Sequence, residues 1–458
     1  MPSDSQALRE LYQDWSKRSR DRTQEARRVF PGGDTRMSAH YAPYPLFMET
    51  GEGCRLNDAD GHTLLDFMNN FTSLIHGHAY PPVVRAVSEQ VARGSAYAAP
   101  VRSQLDLAGL LVERIPAVEQ LRFCSSGSEA TLMALRAARA FTGRSKVMKV
   151  EGGYHGSYEQ AEVSLVPLPR QRGSLDAPAS LPIDPSIPES VLRDTVVAPY
   201  NEPERAARLI EKHASEICAV IVEPVLGSMG MIPATAEFAL ALREATQRHG
   251  ILLVFDEVIT LRLAPGGAQT LLGVQPDLVA MGKIIGGGLP IGAVGGRREI
   301  MDVFNPERRD SVMHASTFSG NPLSMAAGAA AMTPLDAAAC SRLNALGDRL
   351  RDGCNTAFRE SAVRGQATGS GSLLQLHLGD APLHDARDAL EGMMLAGPVP
   401  ALLHLGLLRR GVFAAPRLMH CISTPMGERE VDTAVAALAD SLEELVPVLQ
   451  NERPALLR

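Results

Sequence analysis

Cysteine, aromatic residues and long apolar runs are all scarce in this chain. Its six cysteines (Cys54, Cys124, Cys218, Cys340, Cys354 and Cys421) are scattered over 458 residues, with no two-residue spacing among them. A zinc site or redox pair therefore has nothing to build on, and the expectation is buried, reduced thiols in a cytoplasmic protein. Aromatics make up only 5%, with Trp15 the single tryptophan. No apolar run approaches the ~20 residues that a membrane span needs. Residues 1–30 carry Lys17, Arg18, Arg20, Arg22, Arg27 and Arg28 without the apolar stretch of a signal peptide, so export is not expected. There is no basic block either. Lys plus Arg (45) against Asp plus Glu (52) leaves −7, which argues against nucleic acid or a membrane surface as partner. What remains is an ordinary globular composition, 45% apolar and 21% charged. The length allows two or three domains at roughly 100–200 residues each.

The helical pattern of residues 5–30 (Leu8, Leu11, Trp15) stops at Pro31-Gly32-Gly33 and reads as a docking helix on a small N-terminal segment. From about residue 60 onward, short apolar runs alternate with helical text. The spacing predicts strands at Leu121–Cys124, Lys146–Val150, Ile217–Glu223, Ile251–Asp256 and Asp277–Met281. Unbroken runs such as Ala219-Val220-Ile221-Val222 suit strands covered on both faces, hence an α/β fold with a mostly parallel sheet. Ser126-Gly127-Ser128-Glu129 opens a helix that Gly143 closes. Residues 164–194 hold six prolines and read as an excursion over the surface or a subunit contact. The expected division is residues 1–60, an N-terminal segment of the small domain; 61–335, the large domain; and 336–458, a smaller α+β domain.

Two carboxylates end apolar strands, Glu223 and Asp256, and ligands of open α/β sheets gather at such ends. The Gly-x-x-x-x-Gly-Lys-Ser/Thr of a nucleotide-hydrolase loop is absent. Lys283 stands among apolar and glycine residues, in Met281-Gly282-Lys283-Ile284-Ile285-Gly286. Such flanks desolvate an amine and make it a usable nucleophile, able to form an imine with an aldehyde cofactor. Pyridoxal 5′-phosphate needs three further parts: a carboxylate against its ring nitrogen, a phosphate cup and an aromatic over its ring. Asp256, Ser126-Gly127-Ser128 at a helix start, and Tyr154 in Gly152-Gly153-Tyr154-His155-Gly156 supply them. His76 and His78 have metal-like spacing without a third ligand, and loop packing is expected of them.

Seven ordered stretches carry a resemblance. They are Ser125–Ala130, Gly153–Gly156, Pro199-Tyr200-Asn201, Glu223-Pro224, Phe255–Val258, Gly282–Pro290 and Thr317–Pro322. Together they resemble the class III, pyridoxal-phosphate-dependent aminotransferases, in the branch that holds glutamate-1-semialdehyde aminomutase and the transaminases of β-amino acids and amines. The resemblance implies a fold-type I transferase whose smaller domain comes from both chain ends. It implies a homodimer with shared sites. It makes Lys283 and Asp256 the catalytic pair, Gly127 and Ser128 the phosphate holders, and Val258 the ring contact opposite Tyr154. Thr317 reaches the phosphate of the other subunit, and Asn201 and Glu223 stand beside the ring. Arg36 and Arg417 resemble arginines that clamp substrate carboxylates, with Tyr41 and Tyr44 either lining the pocket or packing under it, Tyr44 taken as a substrate residue. The implied reaction passes an amino group from an amine or β-amino-acid donor to a keto acid by a ping-pong route, with the aminomutase as alternative. Two departures favour two-substrate transfer. Within the segment after Asp256 (Val258–Pro265) the family's usual Thr-Gly-Phe-Arg is one residue shorter, and Leu165–Pro188 stands in place of the small-residue gating loop of the aminomutase.

Overall fold

The computed structural model describes residues 4–458, which fall into two compact units. The central unit runs from Pro81 to Ser341 and takes in Leu383–Leu390. The terminal unit combines the chain up to Tyr80 with Arg342–Pro382 and Glu391–Arg458.

The main sheet of the central unit has seven strands: β1 (Gln120–Cys124), β2 (Lys146–Val150), β3 (Thr195–Ala198), β4 (Ile217–Val222), β5 (Leu252–Asp256), β6 (Leu278–Gly282) and β7 (Gly292–Gly296). Their spatial order is β1-β7-β6-β5-β4-β2-β3. The pairs from β6 across to β3 are parallel, and β7 runs antiparallel to β6 and β1. Apolar runs reveal β1, β2, β4, β5 and β6 in the sequence. They do not reveal β3, which is short, or β7, whose Gly292-Ala293-Val294-Gly295-Gly296 lacks the bulk of a strand.

Helices cover both faces of this sheet. On one side Val220, Val222 and Phe255 pack with Phe238 and Leu242 of the helix Ala236–Arg248. On the other, Ile221, Val254 and Ala280 pack against Ala130, Ala134 and Ala138 of α1 (Gly127–Thr142). Each fully buried Val, Ile or Phe contributes roughly 1.5–3 kcal/mol. Ser126 caps α1 by accepting from the Glu129 N–H, and Gly143 ends it in the left-handed conformation. Because β2, β4, β5 and β6 are parallel, the residues that follow them, Glu151, Glu223 and Lys283, emerge at one edge of the sheet with Asp256, the last of β5.

The Pro-rich excursion of 164–194 is fastened to this unit. Ser164 exchanges hydrogen bonds with Ala179 and Leu181, and Arg387 donates to the carbonyls of Arg172, Gly173 and Ser174. The same guanidinium forms a bidentate pair with buried Glu151, at 2.7 and 2.9 Å.

In the terminal unit, Tyr12 of the helix Ser5–Trp15 enters a cluster of Tyr41, Tyr44, Leu46, Leu64, Leu405 and Leu408. The unit extends beyond the boundary expected at residue 60. Strand Thr63–Asp66 pairs with Arg55–Asp58 on one side and with Val412–Phe413 on the other, so the chain stays until Tyr80. His76 bonds Thr424 and His78 bonds Asp66, each a packing contact. Among the described residues the six cysteines are buried with no disulfide, and no single helix is long and apolar enough to cross a membrane.

Candidate active site

Lys283 follows β6 directly and opens a short 3-10 turn, Lys283–Gly286, with φ +50°. A residue with a Cβ in that region carries about 1–2 kcal/mol of strain, which persists where the surroundings demand a particular side-chain direction. Its neighbours Met281, Gly282, Ile284 and Ile285 are buried. Asp256, at the end of adjacent β5, is 4% exposed. One of its oxygens accepts the Val258 N–H at 3.1 Å, and the other lies 2.9 Å from Nδ1 of His155. Burial pushes the His155 imidazole below its ordinary range, outweighing the Asp256 carboxylate, which acts in the opposite direction. The neutral ring therefore donates Nδ1–H to the Asp256 carboxylate. Its Nε2 is buried without a hydrogen-bond partner among the described residues.

Glu223 is a second buried carboxyl at this edge. Desolvation, reinforced by Asp256, pushes it up to about 8; Lys283 acts in the opposite direction. Its oxygens accept from Tyr154 N–H at 2.8 Å and from Gly227 N–H at 3.2 Å, so it ties the Gly152–Gly156 loop to the strand end. Tyr200 donates to its carbonyl.

The start of α1 meets the same strand ends. The Val258 side chain lies against Gly127 and Gly282: a Cβ added at either glycine would stand 3.1 or 3.4 Å from Cγ1 of Val258. Gly156, at φ +109°, backs onto Ser128, whose hydroxyl accepts the Ser157 N–H at 3.2 Å. The first N–H groups of a helix have no partner inside it. With the dipole of α1, Gly127 and Ser128 thus present an anion-binding end beside Lys283 and Asp256. Ser126 spends its hydroxyl on the cap instead. Tyr154 is 38% exposed, with its hydroxyl 3.3 Å from Ser157.

Other expected residues stand differently. Asn201 has been expected beside a ring, yet its amide is committed to backbone: it donates to Pro233 and His384 carbonyls and accepts from Thr235 N–H. Thr317 is exposed, on a segment with exposed Met313 and Phe318. Arg36, Tyr44 and Arg417 belong to the terminal unit. Tyr44 is corrected from a pocket residue to a core residue. It is 4% exposed, and its hydroxyl and carbonyl are bonded to Ser16 and Tyr12, because the N-terminal helix packs over it. Tyr41 is likewise buried, accepting from Leu46 N–H. Arg36 is exposed and donates to Asn70 at 2.8 Å, 6.0 Å above the Phe71 ring. Residues Asn69 to Thr72 beneath it all have positive φ. Arg417 sits in the turn that Leu418 N–H closes onto Ala415.

Sequence reasoning overlooked two members of the constellation, His155 as the partner of Asp256 and the buried Lys149. The second leaves a signal, a lysine inside Val147-Met148-Lys149-Val150. The first leaves none, since only the fold joins two residues a hundred positions apart.

Comparison with known proteins gives a consistent picture. The pattern described as aminotransferase class-III matches residues 36–406. Glutamate-1-semialdehyde 2,1-aminomutase of Methanothermobacter thermautotrophicus is 38% identical over 437 residues, covering 95% of this chain and 100% of that protein. The crystal structure of an omega-transaminase from Sphaerobacter thermophilus is 46% identical, covers 93% of this chain and 97% of that one, and superposes with a TM-score of 0.88. A transaminase with PLP bound is 36% identical, with 95% and 99% covered and a TM-score of 0.86.

Proposed function

This chain belongs to the class III aminotransferases, and from that premise we propose that it moves an amino group from an amine or β-amino-acid donor to a 2-keto acid in two successive half-reactions. It is an enzyme of nitrogen-group transfer with a fold-type I architecture, and its cofactor is pyridoxal 5′-phosphate. When bound, the cofactor supplies an aldehyde that joins amines and a protonated ring that withdraws electrons from the bond being broken.

The residues fit that group. Lys283 is the amine that joins it, Asp256 the anion for its ring nitrogen, and Gly127 and Ser128 the cradle for its phosphate. Tyr154 and Val258 are the two ring contacts. The observation that carries the reading is the convergence of Lys283, Asp256 and the N-terminus of α1 at one edge of the sheet, with Val258 against Gly127 and Gly282.

Lys283 would hold the cofactor and, once released by the donor amine, would carry the proton taken from the donor carbon. His155 holds Asp256 as an oriented carboxylate, which keeps the ring nitrogen charged. Glu223 fixes the backbone of Tyr154. Water would supply the carbonyl oxygen of the keto product, which would leave before the acceptor enters, and the same residues would act in reverse. Arg36 and Arg417 are the candidate carboxylate clamps, and the exposed Thr317 segment is the surface through which a second copy completes each site.

The aminomutase alternative needs no acceptor. The 46% identity to an omega-transaminase structure supports transfer between two substrates instead. The test mixes loaded enzyme and an amine donor with and without pyruvate or 2-oxoglutarate. Sustained turnover only with the keto acid is expected. Sustained conversion of glutamate-1-semialdehyde without any acceptor would overturn the reading.

A further inference from the structure

The terminal unit gathers backbone strain into one turn. Asn69, Asn70, Phe71 and Thr72 have φ of 47°, 47°, 55° and 73°, four successive left-handed residues with no glycine among them. Asparagine visits that region at moderate cost, but a phenylalanine or a β-branched threonine there is an outlier. Such a run persists only where its surroundings hold it. Asp66, the last residue of the strand Thr63–Asp66, accepts the Met68 and Asn69 N–H groups at 2.9 and 2.8 Å through Oδ1, and its Oδ2 lies 2.7 Å from Nε2 of His78. The buried Asn69 amide donates to the Cys421 carbonyl at 3.0 Å, and the Leu74 N–H closes onto the Asn69 carbonyl.

Two side chains of this turn meet Arg36, which belongs to the same unit. The Ser73 hydroxyl donates to the Asn70 carbonyl at 3.0 Å and accepts from Nδ2 of that residue at 3.1 Å. This engages the amide nitrogen and leaves Oδ1 for Arg36, whose Nη1 donates to it at 2.8 Å. The guanidinium carbon lies 6.0 Å from the centre of the Phe71 ring, within cation–π reach. The Arg36 backbone is fixed as well, since its N–H donates to Oδ1 of Asp34 at 3.0 Å. Asn70 and Phe71 are both uncharged. They orient the guanidinium without neutralising it, and Arg36 stays exposed.

We propose that Asn70 is a positioning residue for carboxylate-bearing donors: its Oδ1 holds the Arg36 guanidinium ready for the donor carboxylate, and the left-handed turn serves to place that oxygen. A long side chain held before binding has less rotamer freedom to lose on binding, so the effect falls on donor affinity and not on the proton transfer. A neutral acceptor suits the task. A carboxylate at position 70 would also hold Arg36, but it would compete with the donor carboxylate for the same charge. The inference rests on the reading of Arg36 as a carboxylate clamp, but not on the acceptor.

The test mixes the cofactor-loaded enzyme with 3-aminobutanoate or with butan-2-amine, which carries a methyl group in place of the carboxylate, and adds no keto acid. The absorbance change of the first half-reaction is followed against donor concentration. Asn70→Gly removes the side chain and keeps a backbone that glycine adopts freely. It is expected to raise the half-saturating concentration of 3-aminobutanoate about fivefold, with the limiting rate kept and butan-2-amine unmoved. In an Arg36→Ala background the same substitution adds nothing, because Asn70 acts through Arg36. An unmoved value for 3-aminobutanoate, an equal rise for butan-2-amine, or a further rise in the Arg36→Ala background would overturn the inference. If Asn70→Gly does not fold, Asn70→Asp decides: its competing charge raises the value about tenfold, and an unmoved value overturns the inference. A wild type that 3-aminobutanoate leaves unchanged overturns it too. The expected pattern in an enzyme that needs no acceptor would keep this inference and discard the transaminase reading.

Discussion

Nδ1 of His155 stands 2.9 Å from Oδ2 of Asp256, with both side chains buried. The neutral imidazole fixes the carboxylate in orientation without cancelling its charge, as an imidazolium would. Asp256 thus stands at the strand edge proposed to hold the cofactor.

Replacing Asp256 by Asn keeps the shape and removes that charge. Turnover is expected to fall about 100- to 1000-fold with little change in melting temperature, the magnitude of one electrostatic stabiliser. His155→Phe should lower kcat less, since the carboxylate survives but loses its orientation. Steady-state kinetics on both variants check the order, and equal losses would reject a merely orienting role for His155.

Lys283→Ala should preserve the fold and its melting transition, because the side chain is only half-buried at the edge of the sheet. Turnover should drop by roughly a thousandfold or more, as the chain loses both nucleophile and proton carrier. Borohydride should fix the cofactor to the wild-type protein and not to the variant. Wild-type rates in Lys283→Ala would refute the assignment.

The Glu151–Arg387 pair is buried on both sides. Arg387→Met strands the carboxylate and releases the carbonyls of Arg172, Gly173 and Ser174. A loss of about 3–5 kcal/mol is expected from urea unfolding, largely recovered when Glu151→Leu is added. An additive double variant would mean that the pair does not act as a unit.

His404 and His420 are buried, and desolvation lowers each from 6.5 to about 4. Above 6.5 both are neutral whether folded or not, and their contribution is complete. As pH falls from 6.5 toward 4 the unfolded chain takes up protons that the folded one refuses, so stability is lost in that window, by on the order of 3 kcal/mol per residue. Urea midpoints measured at successive pH values should show this slope. His404→Gln, which keeps a donor for the Ala414 carbonyl, should flatten it.

Arg36 is held by Asn70 over the Phe71 ring with its guanidinium exposed. Arg36→Ala is expected to raise KM for carboxylate-bearing donors about 10- to 100-fold, the range of one charge-assisted contact. Simple amines should be unaffected. Equal effects on both classes would make Arg36 structural.

The sequence by itself determined the core strands, because unbroken runs such as Ala219–Val222 are stable only when covered on both faces. It also marked Lys283 and Asp256, since an amine among glycines and a carboxylate ending an apolar strand are local signals, and Ser126 with Gly143 marked both ends of α1. Only the tertiary structure decided the partners. β7 takes its place because Gly292 lets Ser126 and Gly127 approach and Gly296 lets Asp277 and Leu278 approach. His155 reaches Asp256 across 101 positions. Tyr44 turns into the core because a distant helix covers it, and Asn201 spends its amide on backbone from two other segments. Those choices depend on which surfaces meet, and a linear pattern records the chemistry of each residue but not the residue it will face.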